Sequence, residues 1–165
     1  MSSSVTVVGT PPEGLLTAYD KTPQCHTDCY RATVVKPVNL HDYILAFYDS
    51  SAFIPERMLI GFALGRKADR EEVRCLANGE ITSFSAWTVE SRTLDEILLA
   101  DISGATRSWL KVERTEDPEK TTLYFGSAVV PRRDQHGRNR APSLLFTLLT
   151  PFHVQYSKVL LAAAV

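Results

Sequence analysis

Three groups of residues have the types and spacing for chemistry. His153 lies four residues after Leu149 and three before Tyr156, so a helix would bring all three onto one apolar face. Such a histidine has two readings. It is a core residue satisfied by a carbonyl or by Tyr156, or it lines a cavity and exchanges protons near its ordinary pKa of about 6.5. In the second reading it would act as acid or base on a bound molecule, with Tyr156 as hydrogen-bond donor. The run Cys25-His26-Thr27-Asp28-Cys29 offers four potential metal ligands in five residues. That is half of a zinc site, and neither Cys75 nor His41 supplies the other half, so incidental thiols and no metal are expected. Arg132, Arg133, Arg138 and Arg140 cluster around Asp134, as an anion site or a solvated loop.

Other patterns are missing. There is no glycine-rich phosphate cradle and no Gly-x-Ser-x-Gly elbow, so nothing calls for a nucleotide, another cofactor or a covalent hydrolase. Asp95, Glu96 and Asp101 flank the apolar run ILLA, which reads as an exposed hairpin kept in solution by charge.

The elements that must position these groups follow from periodicity. Residues 1–24 mix Ser, Thr, Gly and Pro with few apolar anchors and are expected to form a flexible arm, leaving 25–165 as a single domain. YRATVV, from Tyr30 to Val35, has strand composition. Asn39 is placed to cap a helix whose stripe is Leu40, Tyr43, Ile44, Phe47 and Tyr48. A second helix is expected from Ile54-Pro55, burying Met58, Leu59, Phe62 and Ala63, and a third over RKADREEVRCLANG. Four strand-like runs follow: ITSFSAWTV, DEILLA, ATRSWLKVER and TTLYFGSAVV. Their short connections favour antiparallel pairing. Arg107, Trp109 and Lys111 alternate against Ser108, Leu110 and Val112, and Gly126 and Ala128 would leave room on their face. A long helix from Ala141-Pro142, kinked at Pro151, carries Leu144, Leu145, Leu148, Leu149, Phe152, Tyr156, Val159 and Leu160. That stripe needs a sheet to cover it.

Composition bounds the rest. The 165 residues fit one domain, and 44% hydrophobic content excludes disorder. A formal charge of −1 argues against a nucleic-acid partner. No signal peptide or membrane span is apparent and the cysteines are three, so a cytoplasmic protein with reduced thiols, monomeric or homodimeric, is expected.

The stretches WTVESRTLDEILLADISGATRSWLKVE, LYFGSAVVPRRDQHGR and LLTPFHVQYSKVLLAAA resemble the family catalogued as domain of unknown function 2867. Glu96, Asp101, Gly137, Arg138, Pro151, Phe152 and His153 fill positions comparable to that family's turn, loop and closing Pro-Phe-His helix. NLHDYILAFYDSSAF and PERMLIGFALG resemble its opening helices, so the likeness runs from about Tyr30 to Ala164; Ala100 stands where a glycine is expected. The family is similar to START-like and Bet v 1-like domains, which implies a cavity for a hydrophobic ligand and no established chemistry.

The expectation is therefore an α+β helix-grip domain, a curved antiparallel sheet packed on a long, Pro-kinked C-terminal helix. Its expected function is binding a small, mostly apolar molecule between helix and sheet. Phe47, Phe62, Trp109, Phe125, Leu149 and Phe152 would line that cavity, with His153 and Tyr156 as its polar groups. The alternatives are a cofactor-free cyclase, dehydratase or isomerase using His153 and Tyr156, or an interaction domain with a filled core.

Overall fold

A computed structural model describes residues 5–48, 70–133 and 139–140. In chain order these form β1 (Thr6–Val7), α1 (Thr17–Asp20), β2 (His26–Val34), α2 (Leu40–Tyr48) and α3 (Arg70–Asn78). Then come β3 (Ser83–Phe84), β4 (Trp87–Arg92), β5 (Glu96–Asp101), β6 (Thr106–Arg114), β7 (Thr121–Val129), β8 (Arg132–Arg133) and β9 (Asn139–Arg140). The fold is α+β. Strands β1 to β7 form one curved antiparallel sheet in the order β1-β2-β7-β6-β5-β4-β3, and β8 pairs with β9 separately. The expected second helix and the C-terminal helix lie outside the described residues.

Strands β4 to β7 form a meander because their connections are too short for a crossover. β2 then adds to the far side of β7 along its whole length, from His26 opposite Val129 to Val34 opposite Thr121. The run ITSFSAWTV forms two strands, β3 and β4, separated by Ser85, whose φ of 52° turns the chain.

Helix α2 carries the expected stripe, with Leu40, Tyr43, Ile44, Phe47 and Tyr48 all buried. Asn39 caps it: its Oδ1 accepts from the Asp42 amide at 2.8 Å, satisfying one of the otherwise unpaired first-turn donors. Asn39→Ala should therefore lower stability by about 1 kcal/mol. In urea denaturation this would appear as a lower midpoint with an unchanged slope. An unchanged midpoint would show that the cap contributes nothing. At the far end of α3, Gly79 takes φ 77° while its amide and that of Glu80 bond back to Leu76 and Cys75. This left-handed glycine stops the helix. Arg92 reaches from β4 to the Leu76 and Ala77 carbonyls at 2.5 and 2.6 Å, tying the helix end to the sheet.

Apolar side chains cover both faces of the sheet. On one, α2 and α3 pack over Tyr30, Ala32, Val34, Ile97, Leu99, Leu110, Val112, Leu123 and Phe125. On the other, Leu16 joins Cys29, Leu98, Trp109, Tyr124 and Ala128, with Val8, Leu15 and Tyr19 at the margin.

The second cluster departs from the sequence reading. Residues 1–24 are expected as a flexible arm, but Thr6 and Val7 pair with the edge of β2, Val5 packs on the helix-bearing side, and the stretch carrying Val8, Leu15, Leu16 and Tyr19 lies across this face as a strap, with Leu16 fully buried. The room expected beside Gly126 and Ala128 is filled: a Cβ on Gly126 would stand 2.5 Å from Leu16 Cδ2 and 2.9 Å from the Trp109 ring. Two leucines in a Ser/Thr/Pro-rich stretch hardly move its composition, yet one of them closes a core.

Candidate functional site

The helix-bearing face holds a chain of aromatic rings. Tyr30 stacks on Phe125 with centroids 6.3 Å apart, and Phe125 meets Phe47 at 5.0 Å. Phe47 continues to Tyr48 at 5.2 Å and Tyr48 to Phe84 at 5.3 Å, while Tyr43 stands edge-on to Phe47 at 6.0 Å. Each ring is supplied by alternation within a strand or by the α2 stripe. Tyr43 is anchored by donating to the Tyr124 carbonyl at 3.1 Å, and complete burial holds its hydroxyl well above the ordinary phenol range.

Polar groups meet this wall at its two ends. At one end Asp28, directly opposite Ser127 in the β2–β7 register, accepts from the Ser127 hydroxyl at 2.6 Å and its amide at 3.1 Å. Tyr30 donates to the second Asp28 oxygen at 3.3 Å. Ser108, opposite Ser127 on β6 and 8% exposed, extends the row. At the other end the Trp87 indole N–H, shielded from solvent, has no acceptor among the described residues. The rings themselves are buried core, and an apolar surface with a few convergent polar atoms is a composition that small-molecule sites share.

Of the residues singled out in the sequence, Phe47 and Phe125 come together here. Trp109 does not: it pairs with Gly126, so it lies on the strap-bearing face with its back to Phe125. Phe62, Leu149, Phe152, His153 and Tyr156 lie outside the described residues, as do the side chains of the Arg132–Arg140 hairpin. Asp28, weighed in the sequence only as a metal ligand, belongs instead to the aromatic face. Its neighbour Cys29 points to the other side, because adjacent strand residues alternate. The available signal was the matching spacing of Asp28-x-Tyr30 and Phe125-x-Ser127, which becomes informative only once β2 is known to pair with β7.

The opposite face carries a second polar centre that the sequence reading missed. Glu96, expected on an exposed hairpin, is 5% exposed. Its Oε2 accepts from Trp109 Nε1 at 2.7 Å and from the Leu15 amide at 2.8 Å, and Lys111 Nζ lies 3.5 Å from Oε1. On the bulge of β4, beside Leu98 and Leu99, Glu90 accepts from Arg107 Nε at 2.6 Å and from the Tyr19 hydroxyl, and Arg107 stacks 5.0 Å above the Tyr19 ring. Burial, then the Glu90 bond, raise the Tyr19 hydroxyl above its ordinary pKa. Cys29, beneath the strap, is pushed up to about 12 by burial and by the nearby Asp28 and Asp20 charges, so it is a neutral thiol at physiological pH. These groups hold the strap down.

No protein-family model, curated protein or solved structure matches the chain. Among the described residues no helix is long and apolar enough to cross a membrane.

Proposed function

We propose that the protein is a helix-grip domain that binds a small, mostly apolar molecule against the aromatic face, a hydrogen-bond donor of the ligand meeting Asp28. One observation carries this reading: the ring chain Tyr30–Phe125–Phe47–Tyr48–Phe84 ends in the Asp28–Ser127–Tyr30 cluster. The apolar body of the ligand gains from leaving water, and the carboxylate fixes its orientation. The likeness to domain of unknown function 2867 and to START-like domains points the same way.

1-Aminoanthracene, an apolar tricycle with one amine donor, is a suitable probe. The protein should bind it saturably at one site with a blue shift and rise in emission. Asp28→Asn should weaken it about tenfold, equivalent to about 1.4 kcal/mol of a charge-assisted hydrogen bond. Phe125→Leu should weaken both 1-aminoanthracene and anthracene. No saturable binding, or equal affinity in all three proteins, would overturn the reading.

A further inference from the structure

Strands β8 and β9 form a ribbon apart from the main sheet, and among the described residues each pairs only with the other. The ribbon leaves the sheet at a fixed point. The Val130 amide, one residue past β7, donates to the Ala105 carbonyl at 2.8 Å, and Pro131 then restricts the backbone before Arg132. The register places Arg132 directly opposite Arg140, and Arg133 opposite Asn139. Directly opposed residues share a face, so one face of the ribbon carries two arginines and the other carries one.

This pairing is unfavourable on its own. Like charges directly opposite each other destabilise an antiparallel pair, and a lone two-stranded ribbon is marginal in water. The local sequence does not restore the balance. Residues 130–165 hold Arg132, Arg133, Arg138, Arg140 and Lys158 against a single acid, Asp134. The whole chain, by contrast, has 18 basic and 19 acidic residues, so positive charge is concentrated in this stretch. An anion bound across the two strands turns the repulsion into an attraction.

We infer that the juxtaposed pair Arg132 and Arg140 is a binding site for a phosphate monoester. Opposed positions have β-carbons about 4.5–5.5 Å apart, so two guanidinium groups can share one tetrahedral anion. Each planar fork matches two phosphate oxygens, and a phosphate monoester, carrying about −1.5 to −2 at pH 7, cancels both arginines. A carboxylate would cancel only one. The same chemistry has two sources, a soluble phosphorylated compound and the headgroup of a phosphatidate membrane. The inference does not depend on the aromatic site, with which it shares no residue.

The test uses the full chain in two arms. In one it is titrated calorimetrically with methyl phosphate at constant ionic strength; in the other it is floated with phosphatidylcholine vesicles, with and without phosphatidate. Saturable binding in the first arm identifies a soluble ligand, and phosphatidate-dependent flotation alone identifies a lipid. In the arm that binds, Arg132→Gln or Arg140→Gln should weaken binding at least about tenfold, as loss of a charge-assisted hydrogen-bonding partner does. Arg133→Gln removes the same charge from the other face and should weaken it by less than about twofold, since a screened charge acts weakly. Binding in neither arm overturns the inference. Equal loss in Arg132→Gln and Arg133→Gln overturns it too, because it would mean diffuse attraction to a basic loop. Should the glutamine variants fold poorly, Arg132→Glu makes the opposed pair oppositely charged. It should abolish binding while keeping the urea midpoint at or above that of the parent. A lower midpoint would show that Arg132 already has an acidic partner within the chain, and would overturn the inference.

Discussion

Trp109→Ala should lower stability by about 3–5 kcal/mol, the cost of truncating a fully buried large aromatic side chain. For a chain of this length that corresponds to a drop in Tm of roughly 6–20 °C. The ring is inaccessible to water and stands against Gly14 on the strap side and Gly126 on the sheet side. Neither glycine has a side chain to move into the space, so collapse around the missing ring is limited and the cavity contribution stays near its upper range. Losing the indole donor to Glu96 adds a smaller amount. Trp109→Phe keeps most of the packing and should cost less. Urea denaturation measures both, and a loss under about 1 kcal/mol for Trp109→Ala would show that the strap does not seal this core.

Glu96→Ala should cost about 2–4 kcal/mol for a different reason. The substitution removes the one acceptor shared by the Trp109 indole and the Leu15 amide, leaving two shielded donors that each lose about 1–3 kcal/mol if unsatisfied. Lys111 contributes less, because its ammonium is partly exposed and can turn to water. Glu96→Gln keeps an acceptor oxygen and should recover more than half of the loss. The two carboxyl variants also separate local from global effects. Cys29 labelling should accelerate in Glu96→Ala under conditions where far-ultraviolet dichroism is unchanged, because the strap loosens before the sheet. Equal stability of Glu96→Ala and the parent would mean that the strap is held by Leu16 packing alone.

These residues show where sequence reasoning succeeds. The α2 stripe, its Asn39 cap, the Gly79 stop and the alternation in β6 are local patterns, each fixed by residues within a few positions. They are legible without knowing what lies opposite. Trp109 and Phe125 are not. Alternation tells which residues of β6 share a face, and separately which residues of β7 do, but only the pairing of Trp109 with Gly126 relates the two sets. Without that register, nothing separates the two rings, and one cavity is expected to hold both. Glu96 failed similarly, since its environment comes from Leu15, Trp109 and Lys111, brought in from the strap and the neighbouring strand. Asp28 stands out in the sequence for its neighbours Cys25, His26 and Cys29, not for its partner across the sheet, Ser127.

The arrangement of Gly14, Trp109 and Gly126 bears on how distant kin of this chain can be recognised. A Cβ at Gly14 would come within 2.8 Å of the Trp109 ring, and one at Gly126 within 2.9 Å of its other part. Bulk at 14 can therefore be traded against 109, whereas bulk at 126 must be traded against 16 as well, because Leu16 Cδ2 would stand 2.5 Å from the added Cβ. Homologues should vary there in concert, a smaller residue at 109 accompanying a larger one at 14, and smaller residues at both 16 and 109 accompanying a larger one at 126. This signature links the strap to the sheet and follows volume rather than residue identity, so it can persist after pairwise similarity has faded.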